Sequence, residues 1–278
     1  MESNRYFYDD NSVRYQLVKS NPGHIINNWL FLPGGPGVDS NYFLTLINEL
    51  DVMGNSWLID FPANGSNITE QIKADYDFET WGDCLISSVQ KFQNPIYVGH
   101  SFGGELPLLF PQLEQLLKGF VILNAAPSLW WEEASKCAKE NNISVSTEPI
   151  SEFEKNPNSD TLVPALLACA PYYFPQESLE IGKKLLGNVT MNHFAAAWWL
   201  KKVQEINYDA KWIPKNVPTL IVGASHDFMT PYTLFEKDKR FHRPNILMKK
   251  IQNAGHFPWI EQMALVKDAF KEFENAIT

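Results

Sequence analysis

Short apolar runs recur along the chain between polar, glycine- and proline-rich connections. They are "NWLFL" (28–32), "SWLIDF" (56–61), "PIYVGH" (95–100), "GFVILNA" (119–125), "VPTLIVGA" (217–224) and "NILMKKI" (245–251). Runs of this length bounded by turn residues predict strands, buried on both faces where the run is unbroken. "RYFY" and "VRYQLVKS" alternate on either side of an Asp-Asp-Asn-Ser turn and predict two opening strands. Helical spacing fills most intervals: "NYFLTLINEL", "FETWGDCLISSVQKF", "ELPLLFPQLEQLL", "TPYTLFEKDKR" and "WIEQMALVKDAFKEFENAI". Asp39 or Ser40 is placed to cap the first of these helices. Pro107 and Pro111 predict a kink or an early break in the third. This alternation predicts an α/β fold: an eight-stranded, mostly parallel sheet with helices on both faces.

The rhythm stops between Pro127 and Trp212, where no strand pattern is visible. Helical patterns there separate aromatic clusters at Trp130-Trp131, Tyr172-Tyr173-Phe174 and Trp198-Trp199. The expected organisation is a core of residues 1–126 and 213–278 with a helical insertion at 127–212. Within the insertion, "KENNISVSTEPISEFEKNPNSD" is polar enough to predict a mobile loop.

The chain has 278 residues, 45% of them hydrophobic and 20% charged, enough to bury a core without disulfides or metals. Its net charge of -9 and lack of a basic face disfavour nucleic acid as a partner. Cys84, Cys137 and Cys169 are odd in number and widely spaced, which predicts reduced thiols. No apolar run approaches the ~20 residues of a membrane span. "MESNRYFYDDNS" shows no basic-then-apolar leader, and a cytoplasmic location is expected.

Candidate chemistry begins at "YVGHSFGG", where Gly99-His100-Ser101-Phe102-Gly103 is a G-x-S-x-G match lying between a strand pattern and a helical one. A serine on such a turn projects alone from the sheet edge, with a helix N-terminus aimed at it. The serine needs a base, and the base needs an orienting acid. His256 in "NAGHFPWIE" follows the last strand, and Asp227 in "GASHDFMTP" follows the one before. All three therefore sit at the C-terminal strand edge, where open α/β folds bind ligands. The other histidines compete poorly. His100 should point into the sheet or a neighbouring helix, His24 and His242 lie in polar connections, and His226 adjoins the acid. Asn124 cannot take the acid's role, and no cluster has zinc-ligand spacing, so no metal or other cofactor is expected.

"FLPGGPGVDS" then takes a role. It follows a strand beside the nucleophile turn, and Pro36 has no N–H to give. The amides of Gly35 and Phe102 are the candidate oxyanion donors. Trp130, Trp131, His193, Trp198 and Phe257 are candidate pocket residues for a small-molecule substrate with an apolar moiety.

"FLPGGPG", "LIDFPANGSN", "GHSFGG", "GASHDFMTP" and "AGHFPWIEQ" resemble the successive signature blocks of the α/β-hydrolase superfamily, with triad order Ser…Asp…His. The GGPG element resembles that of the proline iminopeptidases and their relatives. The resemblance implies a helical cap at 127–212 and cleavage of small esters or amides through an acyl-enzyme. It departs at Pro33, where that group usually has His, and at Phe102, where it usually has Trp. Cap glutamates hold the substrate amine in that group, and Glu132 and Glu133 are the candidates here. Three readings stay open: a serine esterase or amidase, an iminopeptidase-like aminopeptidase, and a hydrolase-like receptor that turns over slowly or not at all. A C–C hydrolase or a lyase could use the same three residues. Oligomeric state is not legible.

Overall fold

The computed structural model describes residues 6–21, 26–68 and 76–277; His24, the opening "MESN" and the first residue of "RYFY" lie outside them. The eight strands are β1 (Tyr6–Tyr8), β2 (Arg14–Asn21), β3 (Asn28–Leu32), β4 (Gly54–Asp60), β5 (Pro95–His100), β6 (Gly119–Leu123), β7 (Thr219–Ala224) and β8 (Ile246–Ile251). They form one sheet in the order β1-β2-β4-β3-β5-β6-β7-β8. The pairs β1–β2 and β2–β4 are antiparallel, and every later pair is parallel.

The central strands are buried along their whole length. Their side chains alternate between two cores. Leu30, Leu32, Phe120 and Ile122 face one, while Trp29, Phe31, Val121 and Leu123 face the other. A strand needs no polar face when both sides meet helices, which accounts for the continuous apolar runs. Helices α1 (Leu44–Glu49) and α12 (Met263–Ile277) contribute to the second core, and α2 (Trp81–Lys91) to the first.

Asp39 caps a 3₁₀ turn over Ser40–Phe43 by accepting from the Asn41 amide. The "ELPLLFPQLEQLL" pattern breaks early. Helix α3 (Phe102–Glu105) gives way to 3₁₀ turns at Leu106–Leu109 and Pro111–Gln115, each with proline in its first turn. "TPYTLFEKDKR" forms only α10 (Thr233–Lys237) and a 3₁₀ turn. The closing pattern splits into α11 (Pro258–Glu261) and α12.

Between β6 and β7 lie six helices: α4 (Trp131–Glu140), α5 (Thr147–Lys155), α6 (Ser159–Ala168), α7 (Ala170–Tyr173), α8 (Leu179–Asn188) and α9 (His193–Glu205). The loop expected over 139–160 is corrected. Half of it is the end of α4 and all of α5, because Phe153 packs against Leu162, Ala165 and Ala196 in a small core of its own. No helix among the described residues is long and apolar enough to cross a membrane.

Candidate active site

Ser101 sits between β5 and α3 with φ 52° and ψ −124°, a strained conformation for a residue with a side chain. The flanking glycines make the turn possible. A Cβ on Gly99 would lie 2.0 Å from the Gly103 carbonyl oxygen. Ser101 is held at the sheet edge by its amide, which donates to the Leu123 carbonyl at 2.9 Å. Phe102 opens α3, so its N–H has no intrahelical acceptor and points with the helix dipole toward the serine side.

His256 and Asp227 are each 2% exposed. His256 Nδ1 lies 2.9 Å from Asp227 Oδ2. Asp227 Oδ1 accepts the Met229 and Thr230 amides at 3.0 Å, and Oδ2 accepts Asn124 Nδ2 at 2.9 Å. Both oxygens of this buried carboxyl are thus hydrogen-bonded. Asn124 is thus a positioning partner of the acid, also donating to the Gly255 carbonyl at 3.2 Å. Ser101 Oγ has no hydrogen-bond partner among the described residues. The serine–imidazole contact is therefore open in this structure, as is common before substrate binds.

The Gly/Pro loop lies against Ser101: a Cβ on Gly34 would be 2.8 Å from that of Ser101. The Gly34 amide donates to the Tyr42 hydroxyl at 2.7 Å, which commits it within the protein. Gly35, at φ +109°, adopts a conformation closed to most side chains.

His100 differs from expectation. It points neither into the sheet nor simply at a helix but bridges Tyr42 and the backbone of His256. Its Nε2 is 2.8 Å from the His256 carbonyl, which can only accept, so Nε2 carries the hydrogen. Nδ1 is then the acceptor from the Tyr42 hydroxyl at 2.8 Å. Burial, and then the neighbouring His256, hold the His100 pKa well below its ordinary value, in keeping with this neutral tautomer.

Two cavities meet at Ser101. The smaller, about 60 Å³, is lined by Gly34, Gly35, Tyr42, His256 and Phe257 among others. The larger, about 180 Å³, is lined by Glu105, Trp130, Trp131 and Trp199 among others, and shares Gly35, Ser101, Leu166, Tyr173 and Met191 with the first. Engineered apolar cavities near ~150 Å³ accept a benzene-sized guest, so the larger one suits a ring-sized group.

The structure thus brings Ser101, Asp227, His256, Gly35, Trp130, Trp131 and Phe257 to one region. Two pocket expectations need correction. Trp198 turns away to pack on Phe78, Trp81 and Phe102, and its neighbour Trp199 lines the cavity instead. His193, at the start of α9, meets Ser159 Oγ at 3.2 Å and stacks on Phe194. Glu132 is exposed, and Glu133 binds Lys237 at 2.6 Å and Thr233 at 2.8 Å. Sequence reasoning passes over Glu105, which ends the first turn after Ser101 and lines the larger cavity. Tyr42 gives no local signal.

Residues 29–269 match the model of the Alpha/beta hydrolase family. Among solved structures, a proline iminopeptidase-related protein from Thermus thermophilus is 16% identical with a TM-score of 0.69, over 98% of each chain. An alpha/beta fold family hydrolase from Bacillus anthracis str. Sterne is 17% identical with a TM-score of 0.69, over 99% of this chain and 98% of that one. An esterase from Rhodococcus sp. ECU1013 is 14% identical with a TM-score of 0.67, over 99% of each. A search of curated proteins finds no match.

Proposed function

Because the chain belongs to the α/β-hydrolase family, we propose that it is a serine hydrolase cleaving a small ester or amide through an acyl-enzyme. The observation that carries this reading is the convergence at one sheet edge of a strained serine and a buried Asp227–His256 pair. Ser101 Oγ attacks the substrate carbonyl carbon while His256 Nε2 takes its proton. That proton passes to the leaving oxygen or nitrogen as the scissile bond breaks. Water then attacks the acyl-enzyme, giving its proton to His256, and the acid product leaves as the proton returns to Ser101 Oγ. Asp227 fixes the imidazole with its hydrogen on Nδ1 and stabilises the imidazolium. The Gly35 and Phe102 amides receive the oxyanion, and losing one such donor typically costs ~100- to 1000-fold in rate.

The six helices between β6 and β7 serve as a cap, residues 127–212, over a core of 1–126 and 213–278. Support comes from the walls of the larger cavity, which draw on α4, α5, α6 and α9. An apolar substrate moiety fits that lining, free thiols fit a cytoplasmic location, and the acidic net charge disfavours nucleic acid. The aminopeptidase reading is weakened at Glu133, whose carboxylate is committed to Lys237.

A fluorophosphonate probe should label the wild-type protein stoichiometrically and leave Ser101→Ala unlabelled. Labelling that persists in Ser101→Ala would overturn the assignment.

A further inference from the structure

The two cavities at Ser101 are unequal in chemistry. His256 lines only the smaller. Since the imidazole must hand its proton to the departing atom, the leaving group occupies the His256 side and the acyl group the larger cavity. This assignment rests on the serine-hydrolase reading above.

The larger cavity is mostly apolar, yet it carries polar atoms without partners. Glu105, only 1% exposed, has no partner for Oε1. The indole nitrogens of Trp130, Trp131 and Trp199 have none either. Trp199 faces the Glu105 carboxyl without reaching hydrogen-bond geometry. Buried polar atoms are nearly always satisfied, and a buried carboxyl oxygen without a partner is among the costlier exceptions. All four atoms belong to side chains that line this one cavity, a set that calls for a partner group. An apolar acyl chain would satisfy none of them. An ammonium could donate to Glu105 but would offer nothing to three N–H donors. A group that both donates and accepts satisfies both kinds. Glu154, exposed on α5, also touches this cavity and remains open to solvent.

We propose that the larger cavity selects acyl groups bearing a neutral polar substituent, a hydroxyl or carboxamide, which donates to Glu105 and accepts from an indole N–H. Glu105 follows Ser101 by one helical turn, its amide bonded to the Ser101 carbonyl at 3.0 Å. Ser101 and Glu105 line the same cavity, so an acyl group on the serine and the carboxyl share that space. Burial, the largest effect, pushes the Glu105 carboxyl up to about 8, so it meets the substrate as a neutral acid near pH 7.

The test compares three isosteric 4-nitrophenyl esters: 3-hydroxybutanoate, 3-methylbutanoate and 3-aminobutanoate. Wild type should hydrolyse the hydroxy ester with kcat/KM about 10- to 100-fold above the methyl and amino esters. Glu105→Leu should erase that preference while raising the thermal midpoint, because it removes a buried polar group left without a partner. A purely structural Glu105 would instead lower the midpoint. Glu105→Gln, which still accepts and donates, should keep most of the preference. Equal rates on the methyl ester, preference for the amino ester, or a preference unchanged in Glu105→Leu would each overturn the inference. Fluorophosphonate labelling of Ser101 tells these failures from failure of the hydrolase reading, which alone would abolish it.

Discussion

At the scale of single residues, the site depends on buried polar side chains whose partners leave them one protonation state. Tyr42 accepts from Gly34 and donates to His100, tying the Gly/Pro loop to the residue before the nucleophile. Tyr42→Phe leaves both partners buried and unmet, and should destabilise the fold by about 1–3 kcal/mol, measurable by urea denaturation. Two carboxyls make stability pH-dependent. Burial first, then Asp39, push Asp60 up to about 6 against the opposing Arg14, while Glu105 is pushed up to about 8. Unfolded carboxyls titrate near ~4. Between those values the folded chain holds protons that the unfolded chain has released, so stability falls as pH rises. Asp60's contribution is lost as pH climbs through about 6, and Glu105's as it climbs through about 8. Thermal midpoints should therefore drop from pH 6 to pH 8 in wild type and much less in Glu105→Gln; parallel curves would contradict this.

At the scale of elements, the turn from β5 into α3 tolerates little change. Gly99→Ala places a methyl 2.0 Å from the Gly103 carbonyl, and the carbonyl is backbone that cannot step aside. The variant should lose at least ~3 kcal/mol or fail to accumulate as soluble protein, as judged by expression and thermal melting. The strands are legible in the sequence because helices cover both sheet faces, leaving continuous apolar runs such as Phe120–Leu123. The elements around Ser101, Asp227 and His256 are legible for a related reason: each residue follows one of those strands directly. Less can be read where tertiary contacts override local pattern. Phe153 recruits a polar stretch into α5. The choice of Trp199 over Trp198 as cavity wall depends on how α9 is rotated, and adjacent tryptophans give no periodicity to decide it. Tyr42 and Asn124 act across 58 and 103 residues of sequence, distances at which no local spacing carries information.

At the scale of the whole molecule, the inserted helices share their core with the sheet. Trp130, Ala134, Ala195, Trp199 and Val203 belong to the same buried cluster as Leu30, Tyr97 and Ile122. The insertion's separate core is small by comparison, centred on Phe153, Leu162, Ala165 and Ala196. Thermal unfolding should accordingly proceed in one cooperative transition by calorimetry, with calorimetric and van't Hoff enthalpies in agreement. Two resolved transitions would show that the insertion melts on its own.

Two bonds across that boundary have a consequence for protein engineering. The Tyr173 carbonyl accepts the His256 amide at 2.6 Å, and the Tyr172 carbonyl accepts the Phe228 amide at 2.9 Å. The chain that shapes the pocket is thus also the splint for the loops of His256 and Asp227, the proposed base and acid. Grafting a donor's helices between positions 127 and 212 would exchange more than selectivity, because the splint leaves with them. A chimaera that keeps residues 169–175 of this chain retains both bonds, and so leaves the His256 and Asp227 loops supported beneath the transplanted helices.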